Sequence, residues 1–141
     1  MNLPAIDRDL REMPISVMAY IGDAVYELYV RLHNCNQYQG KSGALHRRSV
    51  SIVKAHAQAN AIRRLLPCLS DDELTVYKRG RNSQPASRSK HADPVDYQMA
   101  TGLEALIGYI SLKKDDRRLD ELMAMILEEN ADEQQQEQQQ D

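Results

Sequence analysis

The chain has 141 residues, two cysteines, seven Tyr, no Phe or Trp, 42% hydrophobic and 28% charged residues, and a formal net charge of −3. That length gives one domain, and that balance is a globular chain's rather than a disordered one's. Cys35 and Cys68 stand alone, which argues against a disulfide scaffold or a cysteine zinc site, and no apolar run approaches the roughly 18 residues that span a bilayer.

Residues 1–14 read as a charged lead-in without a secretory apolar segment, so a reducing cytoplasm is the expected compartment. A helix follows from about Ser16 to Asn34, with Met18, Ile21, Val25, Leu28 and Leu32 at helical spacing. Its opposite side holds Ala19, Tyr20 and Val30 and only two acids, Asp23 and Glu27. Such two-sided apolarity predicts a core on one side and a partner or cleft on the other, here a second copy of the chain. After a loop with Gly40 and Gly43, one long helix is expected from about Ala44 to Leu66. Its stripe is Ile52, Ala55, Ala59, Ile62 and Leu66, with Pro67 as the stop and Arg47 and Lys54 sharing a face off that stripe.

Ser70-Asp71-Asp72-Glu73 is a capping box, opening a short helix that ends near Gly80. Arg81 to Ala92 reads as a polar, basic loop. Asp93-Pro94 is an N-cap with Pro at the first helical position, starting a helix to about Leu112 with Met99, Leu103, Leu106 and Ile110 as its core stripe. A last amphipathic helix spans about Asp116 to Glu129, and the Gln-rich, acidic residues 131–141 read as a disordered tail. The fold class is all-α, with one helical domain over 15–130.

The charge is unevenly spread. Residues 1–40 carry −2, residues 41–91 carry 11 basic against 3 acidic side chains, net +8, and residues 92–141 carry −9. A +8 block in an acidic chain is either the footprint of a polyanion binder or a set of solvated helix faces. Its densest part is Lys78-Arg79-Gly80-Arg81-Asn82, followed by Arg88 and Lys90. A helix C-terminus accounts for Lys78 and Arg79 but not for the other three basic residues.

Two acids stand out. Asp23 lies between Gly22 and Ala24, and Glu104 lies in Gly102-Leu103-Glu104-Ala105-Leu106-Ile107-Gly108. A carboxylate inside an apolar helix is costly unless paired or bound to a cation, and small neighbours let another backbone approach. Either each acid is bridged to an Arg, or the two meet where their helices cross, and two carboxylates plus waters suit Mg²⁺. Glu27, one turn after Asp23, could be a third ligand or pair with Arg31; the intrahelical pair is the simpler account. The four His show no metal-ligand spacing.

Tyr20-Ile21-Gly22-Asp23-Ala24 resembles the signature of the ribonuclease III family, and Leu103-Glu104-Ala105-Leu106-Ile107-Gly108 resembles that family's second motif. Ser16, Ala19 and Thr101 occupy positions where the family usually has acids. The shorter branch, Mini-ribonuclease III, commonly shows these losses, together with a segment like Lys78 to Asn82. The resemblance covers about residues 15–130. It implies an all-helical homodimer that cuts double-stranded RNA with Mg²⁺, with Asp23 and Glu104 as metal-binding catalytic residues. Each subunit would cut one strand, leaving a 5′-phosphate and a 3′-hydroxyl. The implied role is maturation of large-subunit (23S) ribosomal RNA. Eleven residues follow Asn130, so no separate RNA-binding domain is expected. The duplex would be gripped by Arg47, Lys54, Lys78, Arg79, Arg81, Asn82, Arg88 and Lys90. The alternative is a non-catalytic RNA-binding helical module of the same fold; a helical interaction bundle would explain neither acid.

Overall fold

The computed structural model describes residues 2–37, 41–53, 55–83 and 93–139, with no side-chain detail for 48–53 and 129–139. Among the described residues there are six α-helices and no strand. They are α1 (Ile15–Gln37), α2 (Ser42–Val53), α3 (Ala55–Leu65), α4 (Asp71–Asn82), α5 (Pro94–Leu112) and α6 (Asp116–Gln139). Across the segment expected as one helix over 44–66, the described residues are helical over 42–53 and 55–65; Lys54 lies outside the described residues. Pro67 cannot donate a backbone hydrogen bond, and α3 ends before it in a 3-10 turn, Leu66–Cys68.

The caps hold as the residues predict. The Ser70 hydroxyl accepts from the Glu73 amide while the Glu73 carboxylate accepts from the Ser70 amide, and the Asp93 side chain accepts from the amides of Val95 and Asp96. Helix α6 runs to Gln139, through residues expected to be disordered. Gln, Glu and Ala are good helix formers, which favours helix through this stretch.

Helix α5 is the centre of the bundle. Met99, Leu103, Leu106 and Ile110 are buried as expected, and so are Ala100, Gly102, Ala105, Ile107 and Gly108 on its other sides, because α1, α3, α4 and α6 all pack on it. The main core joins Tyr26 and Val30 of α1 to Ile62, Leu65, Tyr77 and to Leu122, Met123 and Ile126 of α6. Fully burying each such aliphatic side chain is worth about 1.5–3 kcal/mol. The lead-in is anchored by Met13, buried beside Met18, Ala19, Val76 and Ala105. A half-buried clamp ties α4 to α6: the Arg118 guanidinium donates to both Glu73 oxygens at 2.8 Å and to the Cys68 carbonyl at 2.8 Å. Arg118 therefore holds the Glu73 carboxyl below its ordinary range.

The face of α1 departs from its large-residue periodicity. Leu28 and Leu32, expected in the core stripe, are exposed, whereas Ala19 and Val30 are buried. The reason is Gly22. Helix α5 crosses α1 at that glycine, so the buried arc is centred on the smallest residue of the helix, and the bulkier Leu28 and Leu32 lie to one side.

Candidate active site

The Asp23–Glu104 arrangement is built by two glycines. A Cβ on Gly22 would fall 1.7 Å from the Glu104 carbonyl oxygen, and one on Gly108 would fall 1.9 Å from the Met18 carbonyl oxygen. The backbones of α1 and α5 are therefore in direct contact, a closeness only glycine permits. Asp23 is the next residue after one glycine, and Glu104 is one helical turn before the other. The crossing leaves Asp23 near enough for its charge to act on the Glu104 carboxyl.

The electrostatics follow from that closeness. Glu104 is half-buried, and its carboxyl is pushed up to about 7, first by burial and then by the Asp23 charge, with a hydrogen bond from Gln58 acting the other way. Asp23 is solvent-exposed, and its carboxyl is raised by partial burial and by the charge of Glu27. Glu27 itself is ion-paired with Arg31 one turn on, the simpler of its two expected roles. Among the described residues no salt bridge joins Asp23 or Glu104 to a Lys or Arg, the first of the two alternatives for these acids.

The donor set fits a hard divalent cation. Two carboxylates that disfavour each other's charge, one open to solvent, are the oxygen ligands that Mg²⁺ takes alongside its own waters. The described residues contain no group of three or more His, Cys, Asp or Glu able to hold a metal. Of the positions lacking an acid, Ser16 is exposed, Ala19 is buried, and the Thr101 hydroxyl is spent on the Tyr97 carbonyl at 3.0 Å. Behind Glu104 lie two polar groups that periodicity did not reveal. The Gln58 side chain, 2% exposed on α3, donates to Glu104 Oε1 at 3.3 Å. The Tyr26 hydroxyl is fully buried without a hydrogen-bond partner among the described residues, and burial with the nearby Glu104 charge raises its pKa. A polar Gln between Ala55, Ala59 and Ile62 on the apolar face of α3 was the available signal.

The basic residues are only partly gathered. Lys78, Arg79 and Asn82 are exposed and Arg81 is half-buried, its guanidinium 5.7 Å from the Tyr77 ring centroid and its Nε donating to Asn82 Oδ1 at 3.2 Å. All four lie in the last turns of α4, which runs through Arg81 and Asn82, expected to be loop; residues 84–92 lie outside the described residues. A Cβ on Gly80 would meet Ala105 Cβ at 2.7 Å and Gly102 Cα at 3.0 Å, so this end of α4 rests on α5 in the turn around Glu104. Arg47 is exposed on α2, while Lys54, Arg88 and Lys90 lie outside the described residues. A polar network not foreseen in the sequence joins α3 to the start of α5: His56 Nδ1 lies 2.9 Å from Asp96 Oδ2, and Arg63 donates to Asn60 at 3.0 Å.

Residues 16–115 match the ribonuclease III domain. The chain is 40% identical over 121 residues to the Mini-ribonuclease 3 of Clostridium tetani, spanning 85% of this chain and 80% of that one. The chain belongs to the ribonuclease III family, on its Mini-ribonuclease 3 branch. Its identity to the Mini-ribonuclease 3 of Synechocystis is 49% over 110 residues, 77% of this chain and 74% of that one. In fold, this ribonuclease III family member resembles a crystal structure of a Fusobacterium nucleatum protein, with a TM-score of 0.79 at 22% identity over 88% of this chain and 99% of the other. As a family member it is an endoribonuclease of the ribonuclease III type. No helix among its described residues is long and apolar enough to cross a membrane.

Proposed function

We propose that the chain is a Mg²⁺-dependent endonuclease that hydrolyses both strands of double-stranded RNA, with the large-subunit (23S) ribosomal RNA precursor as its substrate and Asp23 and Glu104 as its metal ligands. The carrying observation is the meeting of these two carboxylates at the Gly22–Gly108 crossing. When bound, the ion supplies Lewis acidity at the scissile phosphate and acidifies water. Asp23 and Glu104 would hold the ion through oxygen ligands on a rigid two-helix frame, and its charge would offset the repulsion that Asp23 exerts on Glu104.

Duplex RNA is recognised largely by shape, phosphates and 2′-hydroxyls, which suits basic side chains on a helix end better than a reading pocket. Lys78, Arg79, Arg81 and Asn82, resting on the same stretch of α5 as Glu104, take the phosphates nearest the cut, with Arg47, Lys54, Arg88 and Lys90 extending the contact. Two cuts need two sites. The exposed face of α1, where Tyr20 is 79%, Leu28 37% and Leu32 56% exposed, pairs with the same face of a second copy about a two-fold axis. The reading is tested by offering purified protein a ribosomal RNA precursor, a duplex and a single strand in Mg²⁺ and mapping the ends. Paired cuts confined to duplex, with 5′-phosphate products, are expected. Tight duplex binding without any cut would leave a non-catalytic RNA-binding module instead.

A further inference from the structure

The metal-site reading above leaves one buried polar side chain near the acids without a role. Gln58 is 2% exposed on α3, and its only side-chain hydrogen bond among the described residues is the one its Nε2 donates to Glu104 Oε1 at 3.3 Å. Burying an amide in an apolar core costs free energy that a Leu or Met at the same place would not, so a purely structural core position gains nothing from it. The Gly22–Gly108 contact is made by backbone atoms, so it places the backbone of Glu104 and not its carboxylate. A ligand that must first be ordered binds its ion more weakly by that ordering entropy. With Ser16, Ala19 and Thr101 offering no carboxylate, each remaining ligand carries a larger share of the affinity.

We propose, on the basis of that metal-site reading, that Gln58 is a positioning residue: from a third helix its amide holds one oxygen of the Glu104 carboxylate so that the group faces Asp23 and meets the ion already oriented. Gln58 touches neither RNA nor the reacting atoms. It acts through Glu104 alone, as hydrogen-bond partners of ligating side chains do elsewhere.

The test uses full-length protein, Mn²⁺ as the probe in paramagnetic resonance titrations, and Mg²⁺ in cleavage assays. Gln58→Met, equal in length and without a donor, is expected to weaken Mn²⁺ binding about tenfold and to raise the half-saturating Mg²⁺ concentration by a similar factor. Its rate at saturating Mg²⁺ should stay within about threefold of wild type. In a Glu104→Asp background, where the shorter side chain withdraws from Gln58, the same change should cost nothing further. Wild-type Mn²⁺ affinity in Gln58→Met, or an equal loss in both backgrounds, overturns the proposal. Gln58→Leu repeats the measurement with a different shape. Should both variants fail to fold, the wild-type Gln58 side-chain amide resonance decides: a shift on adding Mg²⁺ supports the role and an unmoved resonance overturns it. Wild type that binds no Mn²⁺ overturns the metal site and this proposal together. Wild type that loses Mn²⁺ on Asp23→Asn but not on Gln58→Met overturns this proposal alone.

Discussion

Gly22→Ala is a one-carbon change with a large expected effect. The new Cβ would lie 1.7 Å from the Glu104 carbonyl oxygen and 2.7 Å from the Gly108 amide nitrogen, where ordinary contact begins at 3.4 Å. Both obstacles are backbone atoms of α5 and cannot rotate away. The two helices must therefore separate by more than an ångström, forfeiting dispersion along their contact in addition to the clash. Overpacking of this kind costs about 3 kcal/mol at the upper end of its usual range, and the gain from removing a helical glycine is about 1 kcal/mol, so a net loss of about 2 kcal/mol or more is expected. For a domain of this size that is roughly 4–8 °C in Tm. The displacement also moves Asp23 relative to Glu104, and a misplacement of about 1 Å can cost on the order of a hundredfold in rate. Gly43→Ala is the control, because a Cβ there meets nothing within 4 Å. Urea unfolding of the three proteins, read alongside duplex cleavage, makes the comparison. A Gly22→Ala protein as stable and as active as wild type would refute the close crossing and the site built on it.

Metal-free protein should lose stability as pH rises. The Glu104 carboxyl is raised from 4.5 to about 7, so its folded-state advantage is complete below 4.5 and disappears as pH climbs through 7, up to about 3 kcal/mol in all. Unfolding in EDTA at pH 5 and pH 8 should show Glu104→Gln gaining on wild type at pH 8, and parallel profiles would contradict the burial and repulsion assigned to Glu104. Replacing Arg81, Arg88 and Lys90 by Ala should weaken duplex binding and flatten its salt dependence by about one unit for each phosphate that is no longer neutralised. Equal slopes in titrations across several salt concentrations would move the RNA face to Arg47 and Lys54. Leu28→Glu with Leu32→Glu should convert a wild-type dimer to a monomer in light scattering at micromolar concentration; a monomeric wild type would remove the proposed pairing of α1 faces.

Much of this architecture is legible in the residues because it is local. The Ser70 capping box, the Asp93-Pro94 start and the Pro67 stop each act within one turn, and each holds in the structure. The close crossing of α1 and α5 beside Asp23 and Glu104 was legible for a related reason: an acid flanked by small residues on an apolar helix marks such a crossing before any partner is known. The large residues misled on α1, where periodicity weights Leu28 and Leu32 but gives Gly22 no weight as the contact itself. Composition misled at residues 131–139, where the lack of a core to join does not prevent Gln and Glu from extending a helix. Gln58 with Glu104 and His56 with Asp96 are 46 and 40 residues apart, and no one-dimensional pattern couples them. The expected contacts of Lys54, Arg88 and Lys90 lie outside the described residues and stand as proposals.

The most direct test of the account is duplex cleavage by wild type, Asp23→Asn and Glu104→Gln, each measured in Mg²⁺ and in EDTA with duplex binding followed in parallel. The account predicts cleavage by wild type in Mg²⁺ alone, and two variants that bind the duplex at least as well as wild type yet leave it intact at saturating Mg²⁺. Turnover by either variant under those conditions, or by wild type in EDTA, would contradict it.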